Sequence, residues 1–342
     1  MRKWCFFLLL ALLPACRPSG TAAGGRDVLL DERQFSTGDR LHGVGTGWGI
    51  NRPCDVRFHP GGFLILADPQ DGMLLKVIET ASGQEQRLLN RGRSSQEALS
   101  VKDIAVTEEG FFVSSPQDRK LIRYRLDTEQ KAFVLSGIVE CDAQFLRAMP
   151  YSDGRYVLEA SSSSACRLLL ADRTGAVTDT LGSFPEIPGN SITNNALFQS
   201  SLAVSPDGKT IATAYASIDY IDVYDGQDLR VRLSGPEREQ PEVQVRKTPL
   251  GETYAFSPAR NAYSGTSIDA DGIWVGRIGV TLSDEKDWLR GISSIYRFSQ
   301  DGKAQRKYDL DCELVSFDVD PAGQRIYGVT AEEDARILYF EY

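Results

Sequence analysis

Residues 205–216 read SPDGKTIATAYA and residues 320–331 read DPAGQRIYGVTA. In both, an apolar alternation runs into a Pro and Gly turn and a second alternation leaves it, the pattern of two antiparallel strands joined by a tight turn. Working outward from these two, the same pattern recurs as VRFHPGGFLILAD from Val56, IAVTEEGFFVSSP from Ile104, AMPYSDGRYVLEA from Ala148 and SIDADGIWVGRIG from Ser267. The six turn glycines are Gly62, Gly110, Gly154, Gly208, Gly272 and Gly323, spaced 44 to 64 residues apart. A repeat of roughly 40 to 50 residues, with about four strands in each, predicts a propeller.

The remaining strands of each unit follow the turns. LLKVIETASGQEQRLL from Leu74, LIRYRLDTEQKAFVL from Leu121, RLLLADRTGAVTDTL from Arg167, YIDVYDGQDLRVRL from Tyr220 and SIYRFSQDGKAQRKYDL from Ser294 are hairpins, whereas ILYFEY from Ile337 is a single strand. The first two units also share Pro-Gln-Asp, at 69–71 and 116–118. No helical periodicity runs long enough to compete. A last sheet one strand short would expose an edge open to aggregation. The only unassigned strand-like stretch, from Val28 through Leu30 to Leu41, is therefore expected to complete it. The fold expected is all-β: one six-bladed propeller over residues 27–342, its ring closed by an N-terminal strand in the last blade.

The first residues, MRKWCFFLLLALLPACRPSG, carry Arg2 and Lys3, an apolar run to Leu13 and small residues before Cys16. The apolar run is too short to cross a bilayer, so residues 1–15 are expected to be a secretory leader. Leu13-Pro14-Ala15-Cys16 resembles a bacterial lipobox, with Cys16 the lipidated residue and residues 16–26 a flexible tether. That places the domain at the bacterial cell envelope, lipid-anchored without spanning the membrane. The chain carries a net charge of −9, and loss of the leader would make it more acidic still, so nucleic acid is not an expected partner. Cys54, Cys141, Cys166 and Cys312 remain, an even number suited to an oxidising compartment. Of the three possible pairings, Cys141 with Cys166 (inside the third blade) and Cys54 with Cys312 (in adjacent blades) fit the predicted topology, with free thiols the alternative.

The C-terminal third resembles the TolB-like six-bladed propeller lipoproteins of Bacteroidetes. The matching residues are WVGRIG from Trp274, IYRFSQDGKAQRKYDLD from Ile295 and LVSFDVDPAGQRIYGVTAEEDARILYFEY from Leu314. NRGRSSQEALSVKDIAV from Asn90 is similar to that family's Gly-Arg-Gly-Pro-Gly-Glu-Phe inter-blade loop, departing from it at Ser94, Ser95, Gln96 and Ala98. The resemblance implies an envelope lipoprotein and carries no catalytic residues.

Beyond the leader only His42 and His59 are histidines, too few for a multi-histidine metal site. There is no Gly-x-Ser-x-Gly elbow, phosphate loop, Cys-x-x-Cys or EF-hand pattern. His59, in a His-Pro-Gly-Gly turn, is expected to be solvated. Residues seven before each turn glycine should ring one mouth of the channel: Asp55, Asp103, Arg147, Ser201, Gly265 and Ser316. They are candidates either for ligand binding or for a structural ion-pair set. Trp48, Asn194 and Asn195 are expected in loops on the same face, and Trp, Asn and carboxylate together form the mix that holds sugars. The charged connection from Gly235 to Gly265 is expected to be a decorated loop or a partner surface. The function expected is a binding module for an envelope protein, a peptide or a glycan, with no cofactor and no metal. The alternative is a hydrolase or lyase with calcium held by oxygen ligands on the axis.

Overall fold

The computed structural model describes residues 25–38, 40–161, 167–185, 187, 197–236, 242–249 and 251–342. Among them every regular element is a strand or a short 3-10 turn. The chain begins as a strap of three short strands, β1 (Arg26–Leu29), β2 (Ser36–Thr37) and β3 (Val44–Gly45). The first blade follows as β4 (Asp55–His59), β5 (Phe63–Gln70), β6 (Met73–Glu79) and β7 (Glu85–Asn90). The second is β8 (Asp103–Thr107), β9 (Gly110–Ser115), β10 (Lys120–Asp127) and β11 (Ala132–Glu140), and the third β12 (Phe145–Pro150), β13 (Tyr156–Ala160), β14 (Leu168–Ala171) and β15 (Val177–Leu181). The fourth comprises β16 (Ser200–Val204), β17 (Thr210–Tyr215), β18 (Tyr220–Asp225) and β19 (Asp228–Ser234). A hairpin, β20 (Glu242–Thr248) and β21 (Gly251–Ser257), separates it from β22 (Arg260–Ile268), β23 (Ile273–Thr281) and β24 (Ile292–Phe298). The 17-residue β25 (Ala304–Asp320) comes next, then β26 (Arg325–Thr330) and β27 (Ile337–Glu341).

β25 joins the last two blades. Its first half pairs with β24 and its second half with β26, so the eight-stranded sheet it runs through is two four-stranded blocks sharing β25, with β2 added beside it. With the four separate sheets this makes six blades, and β4, β8, β12, β16, β22 and the second half of β25 neighbour one another in a ring. All six inner hairpins fall where the turn glycines predict them. Strands buried on both faces explain the near-continuous apolar burial of FLILA in β5 and IWV in β23. Between blades, the core is made of facing aromatic and β-branched residues, as where Phe63 of the first blade meets Phe133 of the second at 5.2 Å.

The strap differs from expectation. β1 runs parallel to β19 on the fourth blade, β2 runs parallel to β25 on the fifth, and Leu41 bridges to Leu310 there. The stretch Val28–Leu41 thus lies on the fourth and fifth blades, and the strand beside β27 in the sixth is the two-residue β3. Apolar anchors decide this: Leu30 and Phe35 are buried in the cluster between blades four and five, Phe35 resting on Tyr296 at 4.7 Å and Phe298 at 5.4 Å. Asp31 caps the intervening 3-10 turn by accepting from the Arg33 amide at 3.0 Å.

The connection after Gly235 is structured rather than loop. Its hairpin stands on an aromatic base in which Phe256 meets Phe198 at 5.6 Å, and β22 starts five residues before Gly265. Gly265 itself has φ +76 at a bulge, where a Cβ would lie 3.0 Å from the Phe317 ring.

Candidate functional site

The inner strands all start at one end of the wheel, which we term the entry face; the six turns lie at the other. Asp55, Asp103, Arg147, Ser201 and Ser316 come together at the hub, as the spacing from the turn glycines predicts. They are tied to one another across the seams between blades. Ser316 donates to Asp55 Oδ1 at 2.8 Å, joining the sixth blade to the first, and the Ile104 amide donates to Asp55 Oδ2 at 3.1 Å, joining the first to the second. Arg147 pairs with Asp103 across the next seam and with Glu159 at 3.4 Å in its own blade. Glu159 accepts from the Ser200 amide at 2.9 Å, and the Ser201 and Thr266 hydroxyls bond across the following seam. Asp318 completes the ring by accepting from Ser267 and, at 2.8 Å, from the Phe58 amide.

Six seams are thus closed by one continuous polar belt. Two guanidiniums sit deeper in it. Arg57 donates to the carbonyls of Ile104 and Phe317, both at 3.1 Å, and lies 3.4 Å from Asp55. Arg167 reaches Glu159 at 2.8 Å and the Ser200 hydroxyl. Burial raises the Asp55 and Asp318 carboxyls above the usual range, with Arg57 acting against that rise. Burial alone would lower Arg147, but Asp103 and Glu159 outweigh it and hold the guanidinium charged. A carboxylate left alone at such a depth would be costly, which is why each has a cationic or amide partner.

The spacing from the turn glycines finds one belt residue in every blade but the fifth, where it lands on Gly265, and misses Arg57, Glu159, Arg167, Ser200, Thr266 and Asp318. Two of these had a signal: Arg57 and Asp318 stand two residues after Asp55 and Ser316, on the same face of the same strand. The positive charge that an axial calcium ion would bring is already supplied beside Asp55 and Asp103 by Arg57 and Arg147. Those carboxylates therefore do not make a fitting cation site. Among the described residues no three His, Cys, Asp or Glu side chains cluster as metal ligands.

Other candidates separate from the belt. Trp48 is half-buried in the core between the first and last blades, its indole 3.2 Å from where a Cβ on Gly83 would sit. Gly83 is in the turn after β6, at the far end of the sheet from Asp55, so Trp48 is packing and not part of the mouth. Asn194, Asn195, Cys16 and Cys166 lie outside the described residues. Cys54, Cys141 and Cys312 are free thiols, and the pairing of Cys54 with Cys312 is not formed. Cys54 instead points at the Ala67 carbonyl, 3.6 Å away, while Cys312 packs against the core between the fifth and sixth blades. Burial pushes Cys141 and Cys312 up to about 11, which makes them poor nucleophiles. His59, expected in solvent, is 2% exposed; its Nδ1 accepts from the Gly61 amide at 2.9 Å and its ring meets Phe133 at 5.3 Å. Its turn is tucked between two blades, which local sequence does not reveal. His42 is exposed and lies 3.1 Å from Asp311.

Among the described residues, the most exposed large apolar groups are elsewhere on the entry face. The β23–β24 connection carries a 3-10 turn, Glu285–Leu289, capped by Asp284, which leaves Trp288 64% and Leu289 77% exposed. The Leu282 amide donates to the Ala259 carbonyl at 2.8 Å, which seats this loop beside the base of the β20–β21 hairpin. Val245 on that hairpin is also exposed.

The profile of the TolB-like 6-blade propeller-like family matches residues 81–322, more than half of the chain. The chain belongs to that family. Its TolB-like architecture is also similar to two solved structures. The beta-propeller domain of Myceliophteria thermophila Cps50 (Swd1) has 11% identity over 87% of this chain and 99% of that one, with a TM-score of 0.48. Kuenenia stuttgartiensis hydrazine synthase has 10% identity over 83% and 94%, with a TM-score of 0.46. No curated protein matches the chain.

Proposed function

We propose that this TolB-like propeller is a binding module that docks an envelope protein or peptide on its entry face, over the fourth and fifth blades. The observation that carries the reading is the pair Trp288 and Leu289, held out on a capped turn beside a projecting hairpin. Large apolar side chains on a rigid turn are anchor residues, and Trp is enriched among those that dominate binding energy. The hub supports the same division of labour, because most of its polar groups bond across the seams, with Asp103 Oδ2 and Glu159 Oε2 the carboxylate oxygens left without a hydrogen bond. A glycan at the mouth fits less well, since Trp48 packs away from it.

The envelope location rests on the leader and Cys16. A lipid there would approach from the turn end, because β1 starts beside Leu229 and runs parallel to β19 towards the entry face. The docking surface would then point away from the membrane. Affinity capture from the envelope fraction tests the reading: wild-type protein should retain a stoichiometric partner that Trp288→Ser with Leu289→Ser loses. Equal capture by both proteins would refute it.

A further inference from the structure

A second site lies on the rim, where the strap passes from the fifth blade to the sixth. A cavity of about 420 Å³ opens there, walled by Arg40, His42 and Val44 from the strap and by Arg306, Tyr339 and Tyr342 from the blades. That is within the size range of small-molecule sites. We propose that it binds a small anion carried on a ring, a carboxylate, phosphate or sulfate whose charge is met by Arg40 and Arg306.

The charges support this. Arg40 donates its Nε to the Leu310 carbonyl at 3.1 Å, which anchors the guanidinium beside the cavity that the residue lines. The Arg306 guanidinium lies over the Tyr308 ring, 5.1 Å from its centroid, a cation–π contact that helps hold it in place. Neither makes an ion pair among the described residues, although Arg57, Arg147 and Arg232 all do in this acidic chain. Glu341, the acid among the lining residues, pairs with Arg325 at 3.2 Å, and nearby Asp311 is taken up by His42 and the Gly43 amide, both at 3.1 Å. Two fixed guanidiniums offer the planar forks that match carboxylate and phosphate oxygens. Tyr339 and Tyr342 give aromatic walls for a ring, and both are braced, Tyr339 under Arg325 and Tyr342 against Trp274. A ligand held by both walls would clamp the strap to the sixth blade, since whatever binds only the docked strap stabilises it.

The test titrates the full chain with inorganic phosphate, inorganic sulfate, glucuronate and glucose 6-phosphate, with ionic strength held constant by chloride. Binding is read by calorimetry and strap docking by amide exchange at Val44 and Gly45. At least one ring-bearing anion should bind saturably, one per chain, and slow exchange at those amides. Glucuronate against glucose 6-phosphate identifies the acid, and the inorganic ions show whether the ring contributes. Arg40→Gln and Arg306→Gln should each weaken binding about tenfold, the worth of one charged hydrogen bond. Both should keep the wild-type Tm in chloride alone, which separates lost binding from lost folding. Absence of saturable binding by all four anions at millimolar concentrations, or undiminished binding by the two variants, would overturn the proposal.

Discussion

Arginine is used in opposite ways at the hub and at the rim. Arg57, Arg147 and Arg167 are sunk among Asp55, Asp103, Glu159 and Asp318, and each guanidinium ties its neighbours together. Arg40, on the strap, and Arg306, on β25 beside it, are exposed and make no ion pair among the described residues, although Glu341 lines the same cavity. The difference teaches that a polar arc around a channel is not by itself a binding site. What matters is whether its hydrogen-bonding capacity is already consumed. In this wheel the hub's polar groups bond across the seams between blades, whereas the proposed docking surface and anion site lie on the loops and rim.

The contrast breaks most sharply at Arg167. Changing it to Met leaves Glu159 buried beside Ser200 without its closest guanidinium, and should cost about 3–5 kcal/mol, read as a fall in the urea midpoint at unchanged slope. Next comes the strap. A Cβ on Gly43 would lie 2.7 Å from Leu338 and 3.0 Å from Phe340, so Gly43→Val should cost about 1–3 kcal/mol and speed amide exchange at Val44.

A smaller effect follows from His59. Burial lowers its pKa below 6.5, so the folded state refuses a proton that the unfolded chain accepts. Stability should fall as pH drops through 6.5, and His59→Gln should flatten that limb between pH 7.5 and 5.5. Asp55 and Asp318 have the opposite sign. Their raised values mean that the unfavourable charging of the folded state is relieved as pH falls towards 3.8, so they cannot produce the same loss. The smallest effect on stability belongs to Trp288→Ser, expected within about 0.5 kcal/mol of wild type because the side chain is exposed, and yet accompanied by loss of partner capture.

The wheel was legible because its signal is local. Each inner hairpin announces itself by alternation and a turn glycine, and six such units leave few other architectures. The strap was not, because choosing an edge for β1 depends on which groove accepts Phe35 and Leu30, and no alternation in VLLDERQF encodes that choice. The belt was half legible. Counting from the glycines found Asp55, Asp103 and Arg147, but whether they meet a ligand or one another depends on partners such as Glu159 and Ser200, far apart in the chain. Trp48 and His59 were misplaced for one common reason: a loop or turn residue can be folded back between blades, and only the neighbouring blade decides it.

Arg147 offers the most direct test, since it is the belt residue with a partly open side chain, 23% exposed, and was a candidate ligand contact from sequence. Arg147→Met should lower stability by about 3 kcal/mol or more through the stranded Asp103 carboxylate, while the folded variant still captures the partner that Trp288→Ser loses. An unchanged urea midpoint together with lost capture would contradict a structural hub.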